Sequence, residues 1–338
     1  MSQRALGRTG IKVSSLTLGA MMFGGRAGPE ESHQIVDRAL DAGINFIDTA
    51  NVYNQGRSEE IVGDALRRNG HRHHIVLATK VHGNMHRDDK LDPNQAGNSR
   101  RQIIEQAEAS LKRLKTDWID LYQIHRPEPG CPIDETLRAL DDLVRSGKVR
   151  YIGSSTFAAW QLVESLWVSK ELGLNRFVTE QPPYNLLDRR IERELIPAAL
   201  TYDFGIIPWS PLAGGFLSGK YKRDGQQPEG RFSDGTHVRA QALLGNARAF
   251  DAVEALEGIA REKGVPLSQL ALAWTIQQPG ITSPIIGPRT LEQLEDNLKA
   301  LDVTISEQDR ARIDAISPPG RSIVPFYEAA FGPNARWQ

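Results

Sequence analysis

The sequence predicts an α/β fold, a (β/α)8 TIM barrel. Three observations lead there. Eight short apolar runs alternate with amphipathic stretches of helical period along most of the chain. Most of those runs are continuously apolar, as parallel strands buried on both faces should be. The 338 residues also suffice for eight strand–helix units, so residues 1–338 are expected to form one domain.

The elements follow in order. Residues 4–13 read as a hairpin plugging the barrel bottom. Leu16 and Leu18 mark the first strand, and a helical pattern covers 30–42. Ile44, Phe46 and Ile47 mark the second strand, before a helix over 58–68. The third strand, 75–78, precedes a helix over 99–114. The fourth, 119–124, is followed by a helix over 133–145, and the fifth, 149–153, by one over 158–172. The sixth, 177–179, leads to a helix over 190–200, and Ile206 and Ile207 open a seventh strand that runs to Trp209. Residues 213–246 are irregular and rich in Gly, Lys, Arg and Gln. A loop that long inside a compact domain is usually a lid or a binding loop. An eighth strand at 281–286, a helix at 291–301, and a tail with a helix at 306–316 complete the chain.

Composition narrows the function. Lysine plus arginine (41) balances aspartate plus glutamate (42), so no basic excess exists to neutralise a nucleic-acid backbone. No apolar run approaches the ~20 residues that span a bilayer. The start, residues 1–10, lacks the apolar stretch of a signal peptide. Cys131 is the sole cysteine, and no intrachain disulfide can form. The expected address is the cytoplasm, with neither membrane nor nucleic acid as a partner; a homo-oligomer is left open.

Chemistry in such barrels sits at the C-terminal strand ends. There the second strand presents Asp48, with Tyr53 five residues later, the third presents Lys80 and the fourth His125. Each alone has an ordinary reading as a cap, an ion-pair partner or a packed ring. Together they form a proton-donating set. A tyrosine ordinarily holds its proton to about pH 10. An adjacent ammonium stabilises the phenolate, and a carboxylate holds the ammonium charged. A histidine adds a hydrogen bond to the oxygen being protonated. This suits protonation of a carbonyl oxygen as hydride reaches carbon, and the hydride must come from a cofactor.

The run Asp48-Thr49-Ala50-Asn51-Val52-Tyr53, with Gly56, Ser58 and Glu59, resembles the aldo-keto reductase signature. The resemblance continues through Thr79-Lys80, Leu121-Tyr122-Gln123-Ile124-His125, Gly153-Ser154-Ser155-Thr156-Phe157, Gln181, Trp209-Ser210-Pro211-Leu212, Gly215, Gly219-Lys220 and Ile285-Ile286-Gly287-Pro288-Arg289. The Trp-Ser-Pro-Leu form is similar to the branch holding bacterial general reductases and potassium-channel beta subunits.

The resemblance implies an NADP-dependent reductase of small aldehydes or ketones. Tyr53 would be the general acid, Asp48 and Lys80 its tuning pair, and His125 the orienting donor. Ser155, Thr156 and Gln181 would hold the nicotinamide carboxamide, and Trp209 would pack on its ring. Ser210, Pro211, Leu212, Ala213 and Gly214, with Lys220 and Arg231, would grip the pyrophosphate and adenosine side. Gly287, Arg289, Gln293, Asp296 and Asn297 would surround the adenine ribose and its 2′-phosphate. Ala20 and Met21 would line the floor near Asp48.

Two positions depart from the family pattern. Thr156 stands where many relatives have asparagine, and Gln293 where many have arginine. Arg289 supplies a charge suited to a 2′-phosphate. Thr290 and Gln293 also fit a capping box that would set a helix N-terminus beside it.

Other signals carry less weight. His71, His73 and His74 lie in a polar turn at the wrong barrel end, and no metal is expected. His82 and His86 are read either as lining the substrate mouth or as plain loop residues. Cys131 is read as a bystander, and Gly214-Gly215 lacks the strand–helix context of a dinucleotide fingerprint. Pro325, Phe326, Tyr327 and Trp337 are read as a flap over the pocket or as residues docked on the barrel. Two rival functions remain. One is an NADPH-binding regulatory subunit with little turnover, which His125, the complete four-residue set and the lack of an N-terminal extension argue against. The other is a metal-dependent barrel hydrolase, which would need a ligand cluster at several strand ends.

Overall fold

The computed structural model describes residues 1–85, 94–223 and 242–325. A two-stranded hairpin, β1 (Gln3–Ala5) and β2 (Lys12–Ser14), precedes the barrel strands. These are β3 (Thr17–Gly19), β4 (Phe46–Asp48), β5 (Val76–Val81), β6 (Ile119–Ile124), β7 (Val149–Ser155), β8 (Phe177–Gln181), β9 (Gly205–Ile206) and β10 (Ile285–Ile286). They form one parallel sheet in the order β10-β3-β4-β5-β6-β7-β8-β9. The ends meet through a parallel bridge between Ile206 and Ile281, and Ile285 N–H donates to Pro208 O at 2.9 Å. The sheet is thereby rolled into a barrel.

Two apolar cores follow from the alternation of side chains along each strand. The larger lies between strands and helices and holds Leu18, Ile47, Leu77, Tyr122 and Ile152. The smaller fills the lower barrel with Phe46, Val76, Ala78, Leu121, Val178 and Ile207. Leu6 and Val13 of the hairpin complete it, both fully buried. Arg4 pins the hairpin by donating from Nη1 to Ile281 O at 2.9 Å and Thr282 O at 3.3 Å. Gly7 makes the approach possible. Its φ is +56°, and a Cβ there would stand 2.4 Å from Val178 O. The expected plug is present.

Helices lie between the strands. The helix Pro29–Asp41 starts on a proline, with Glu30 and Glu31 complementing its N-terminal dipole, and buries Ile35, Val36 and Ala39. Ser99 caps Arg100–Leu114 by accepting from Gln102 N–H. Ile133–Arg145 and β6 occupy the residues that the sequence predicts.

Other boundaries move for local reasons. The seventh strand ends at Ile206, because Pro208 has no N–H to add to a ladder. The continuous ladder of the eighth covers only Ile285–Ile286, since Pro284 has no N–H to donate, and Ile281 makes a separate bridge to Ile206. The single helix expected over 190–200 divides into a 3-10 turn, Arg190–Glu192, and an α-helix, Leu195–Tyr202. Pro197 cannot donate back to residue 193, but its missing N–H costs nothing in a first turn. The second strand starts later than expected, at Phe46, and ends at Asp48 as expected, while the third runs on through Val81. The start of the stretch read as irregular forms a 3-10 helix, Ala213–Ser218. Farther along, the described residues include the helices Ala247–Glu262 and Leu267–Ile276.

Candidate active site

The side-chain alternation that buries Phe46, Ala78 and Leu121 in the lower barrel places Asp48, Lys80 and Gln123 one step higher. Register puts Lys80 opposite Gln123 and Ser155 opposite Gln181. The result is a polar layer at the C-terminal mouth. Lys80 is fully buried, and its Nζ donates to Asp48 Oδ2 at 2.5 Å, Thr49 O at 2.8 Å and Tyr53 Oη at 3.1 Å. Burial works against the Lys80 charge, but Asp48 and Tyr53 more than offset it and raise its pKa. Asp48 Oδ1 accepts from Gln123 Nε2 at 3.0 Å and Gln181 Nε2 at 2.8 Å.

Tyr53 reaches this layer because its loop is anchored on both sides. Asn54 and Gln55 are left-handed, at φ 47° and 56°. Asn54 tolerates this and donates from Nδ2 to Phe23 O at 2.7 Å and Met21 O at 3.0 Å. Ser58 Oγ donates to Ala20 O at 2.7 Å and lies 2.8 Å from Thr49 Oγ1. Glu59, fully buried, accepts from Thr79 Oγ1 at 2.5 Å and Arg113 Nε at 2.6 Å. Thr49, Asn54, Ser58 and Glu59 of the Asp48–Glu59 motif are thus the scaffold of the loop.

The His125 ring stands edge-on to Tyr53, centroids 5.6 Å apart. Burial holds its imidazole well below the ordinary histidine range, helped by Arg126, Lys80 and His82. It is a neutral ring, able to donate through one nitrogen.

A cavity of about 1170 Å³ opens above the layer. Met21, Asp48, Tyr53, His125, Ser155, Gln181, Trp209, Ser210, Pro211, Leu212, Gly214, Lys220, Gly287, Arg289, Gln293, Asp296 and Asn297 all line it. Lys80 lies beneath Tyr53, off the surface. Ala20, Thr156 and Ala213 stand behind the walls, each almost fully buried. Arg231 lies outside the described residues, as do His86, Phe326, Tyr327 and Trp337.

Several of these groups have local work. Thr156, at φ 60°, donates from Oγ1 to Ser155 O at 2.7 Å. Gln293 Oε1 accepts from Arg289 N–H at 2.8 Å, one residue earlier than in a capping box, while Thr290 Oγ1 accepts from Gln293 N–H. Asp296 is held by Ser268 Oγ and Gln269 Nε2, both at 2.7 Å.

The cleft suits a dinucleotide. Ser210, Ala213, Gly214 and Gly215 are all left-handed, the last at φ 99°, which favours glycine. Such turns can gather N–H groups into a concave anion cradle, although those of Ala213 and Gly215 here donate within the turns, to Ser210 O and Leu212 O. Lys220 and the N-terminus of helix Leu291–Lys299 line the same cleft.

Sequence reasoning gave no role to Gln123, Arg126 or Ser268. Gln123 was legible in principle, two residues before His125 and so on the same strand face as the neighbouring Lys80. Arg126 was legible in the same way, as the residue after His125 at the mouth, whereas Ser268 lines the cleft only through packing of a distant segment. Among the described residues no three His, Cys, Asp or Glu side chains stand close enough to hold a metal ion. His73 packs on Trp118, and His82 Nδ1 lies 3.0 Å from Asn98 Oδ1. Burial pushes the Cys131 thiol up. No helix among the described residues is long and apolar enough to cross a membrane.

A (β/α)8 barrel with a buried, charged polar layer beneath a large cleft is an architecture of barrel oxidoreductases. The chain belongs to the aldo/keto reductase family, whose model matches residues 15–318. It is 40% identical to the uncharacterized oxidoreductase YrpG of Bacillus subtilis, over 95% of this chain and 97% of that one. It is 38% identical to a probable voltage-gated potassium channel subunit beta of Oryza sativa subsp. japonica, over 90% and 92%. It is 35% identical to the versiconal hemiacetal acetate reductase of Aspergillus parasiticus, over 91% and 95%.

Proposed function

We propose that this chain is a cytoplasmic NADPH-dependent reductase that converts an aldehyde or ketone to the alcohol, with Tyr53 as general acid. The observation that carries the reading is the contact of Lys80 Nζ with Tyr53 Oη at 3.1 Å, on a lysine already paired to Asp48. NADPH, when bound, supplies the hydride. Tyr53 gives its proton to the carbonyl oxygen, and Lys80 stabilises the phenolate that remains. Asp48, fed by two amides, keeps the lysine charged. Neutral His125 donates to the same carbonyl oxygen and orients it. The Ser210–Gly215 turns and Lys220 would take the pyrophosphate, and Arg289 the 2′-phosphate.

The test is NADPH consumption against a panel of aldehydes, ketones and sugar-derived carbonyls, followed by Tyr53→Phe on the best substrate. Turnover should fall about 10²–10⁴-fold while NADPH binding stays nearly unchanged. Wild-type turnover in Tyr53→Phe would remove the tyrosine from its role. The relatives named as channel beta subunits favour a second reading, a dinucleotide-binding regulatory subunit. It requires tight NADPH binding with no member of the panel reduced.

A further inference from the structure

Asp48 as a carboxylate accepts hydrogen bonds and donates none. That decides how the two amides beside it are turned. Gln123 and Gln181 must both point their NH2 groups at Asp48 Oδ1, at 3.0 and 2.8 Å. The second hydrogen of the Gln181 amide then goes to Gln123 Oε1, at 3.2 Å. Both Gln181 hydrogens are used, and its carbonyl oxygen is what it has left for the cleft. Ser155 is in a like position, because its Oγ donates to Gln181 O at 2.9 Å. Ser155 and Gln181 therefore meet the cleft as acceptors. Gln123 is fully buried and off the cleft wall, so it acts through these neighbours.

We propose that Gln123 is a positioning residue that makes Gln181 an acceptor-only contact, so that the site reads the NH2 of a nicotinamide carboxamide rather than its oxygen. The proposal rests on the nicotinamide reading above. With an apolar side chain at 123, Asp48 alone holds the Gln181 amide, which can then swing its second hydrogen toward the cleft. Asp48 loses a donor at the same time.

The probes are NADP⁺, its 3-acetylpyridine analogue, in which methyl replaces the NH2, and its thionicotinamide analogue, which keeps the NH2 and replaces the oxygen. Dissociation constants are read from quenching of intrinsic fluorescence. In the wild type the acetylpyridine form should bind about tenfold more weakly than NADP⁺, the effect of one lost hydrogen bond to a buried acceptor, and the thio form within about threefold. In Gln123→Leu the tenfold gap should shrink below about threefold. A purely structural role for Gln123 would weaken all three ligands alike and keep the gap, which overturns the proposal. A thio form as weak as the acetylpyridine form overturns it in the wild type, with no variant needed. Should Gln123→Leu fail to fold by circular dichroism, Gln123→Met, of the same unbranched length, takes the same measurement. Equal binding of all three ligands defeats this inference and leaves the cofactor reading standing. Binding of none defeats both.

Discussion

Glu180 shows how much one buried residue decides. It sits on β8 between Thr179 and Gln181, fully buried, and accepts from Ser154 Oγ at 2.5 Å and Phe157 N–H at 3.1 Å. Burial pushes its carboxyl up to about 8, against the pull of those donors and of Arg126. The folded chain keeps this proton where the unfolded chain, near 4.5, has released it. The folded-state value is the higher one, so the stability it contributes is complete below about 4.5 and lost as pH rises through about 8. Between pH 6 and 9 the wild-type melting temperature should fall, on the order of several degrees, more than that of Glu180→Gln. Thermal melts at both pH values check this, and parallel slopes would count against it. The same residue supports the Ser155–Thr156 turn, where Ser155 lines the cleft.

At the scale of elements, the helix Arg57–Asn69 matters because it begins four residues after Tyr53. It is tied to the next strand by Glu59, through Thr79 of β5, and to the helix Arg100–Leu114 by Arg113. The Glu59 side chain is wholly buried and that of Arg113 is 19% exposed, so this pair is a buried one. Removing one member of such a pair leaves a charge without its counterion. Arg113→Met should destabilise the protein by about 3–5 kcal/mol, read from the denaturant midpoint. Adding Glu59→Gln should recover part of that loss, since both charges are then gone. If the double variant is no better than the single, the penalty is one of packing rather than charge.

At the scale of the whole molecule, the barrel separates its stability from its chemistry. The hairpin and the smaller core close the bottom, and the cleft opens at the top. Leu6 is fully buried in the lower-barrel core, which holds none of the residues given a chemical role. Leu6→Ala should cost about 2–5 kcal/mol, through lost burial and a cavity, and leave the NADPH dissociation constant where it was. Chemical denaturation and a binding titration on one preparation check both halves. A variant that loses cofactor affinity while folded would mean that the plug shapes the mouth as well.

The sequence by itself determined the barrel, because strand and helix periods are local properties that survive any packing. It also determined the four catalytic candidates, since Asp48, Lys80 and His125 lie at strand ends that the periodicity locates. It misplaced ends where prolines act, at Pro197 and Pro208, because what a missing N–H costs depends on whether a carbonyl of the partner strand or preceding turn needed it. Only the tertiary structure decided which polar groups are still available. Asp296 and Gln293 line the cleft, but their polar atoms are largely engaged by Ser268, Gln269 and Arg289. Thr156 turns its hydroxyl to a neighbouring carbonyl, and Gln123 joins the site through two contacts with residues 58 and 75 positions away. Hydrogen-bond saturation is a property of the assembled layer. A chain of letters names donors and acceptors, and only the folded barrel says which of them are already taken.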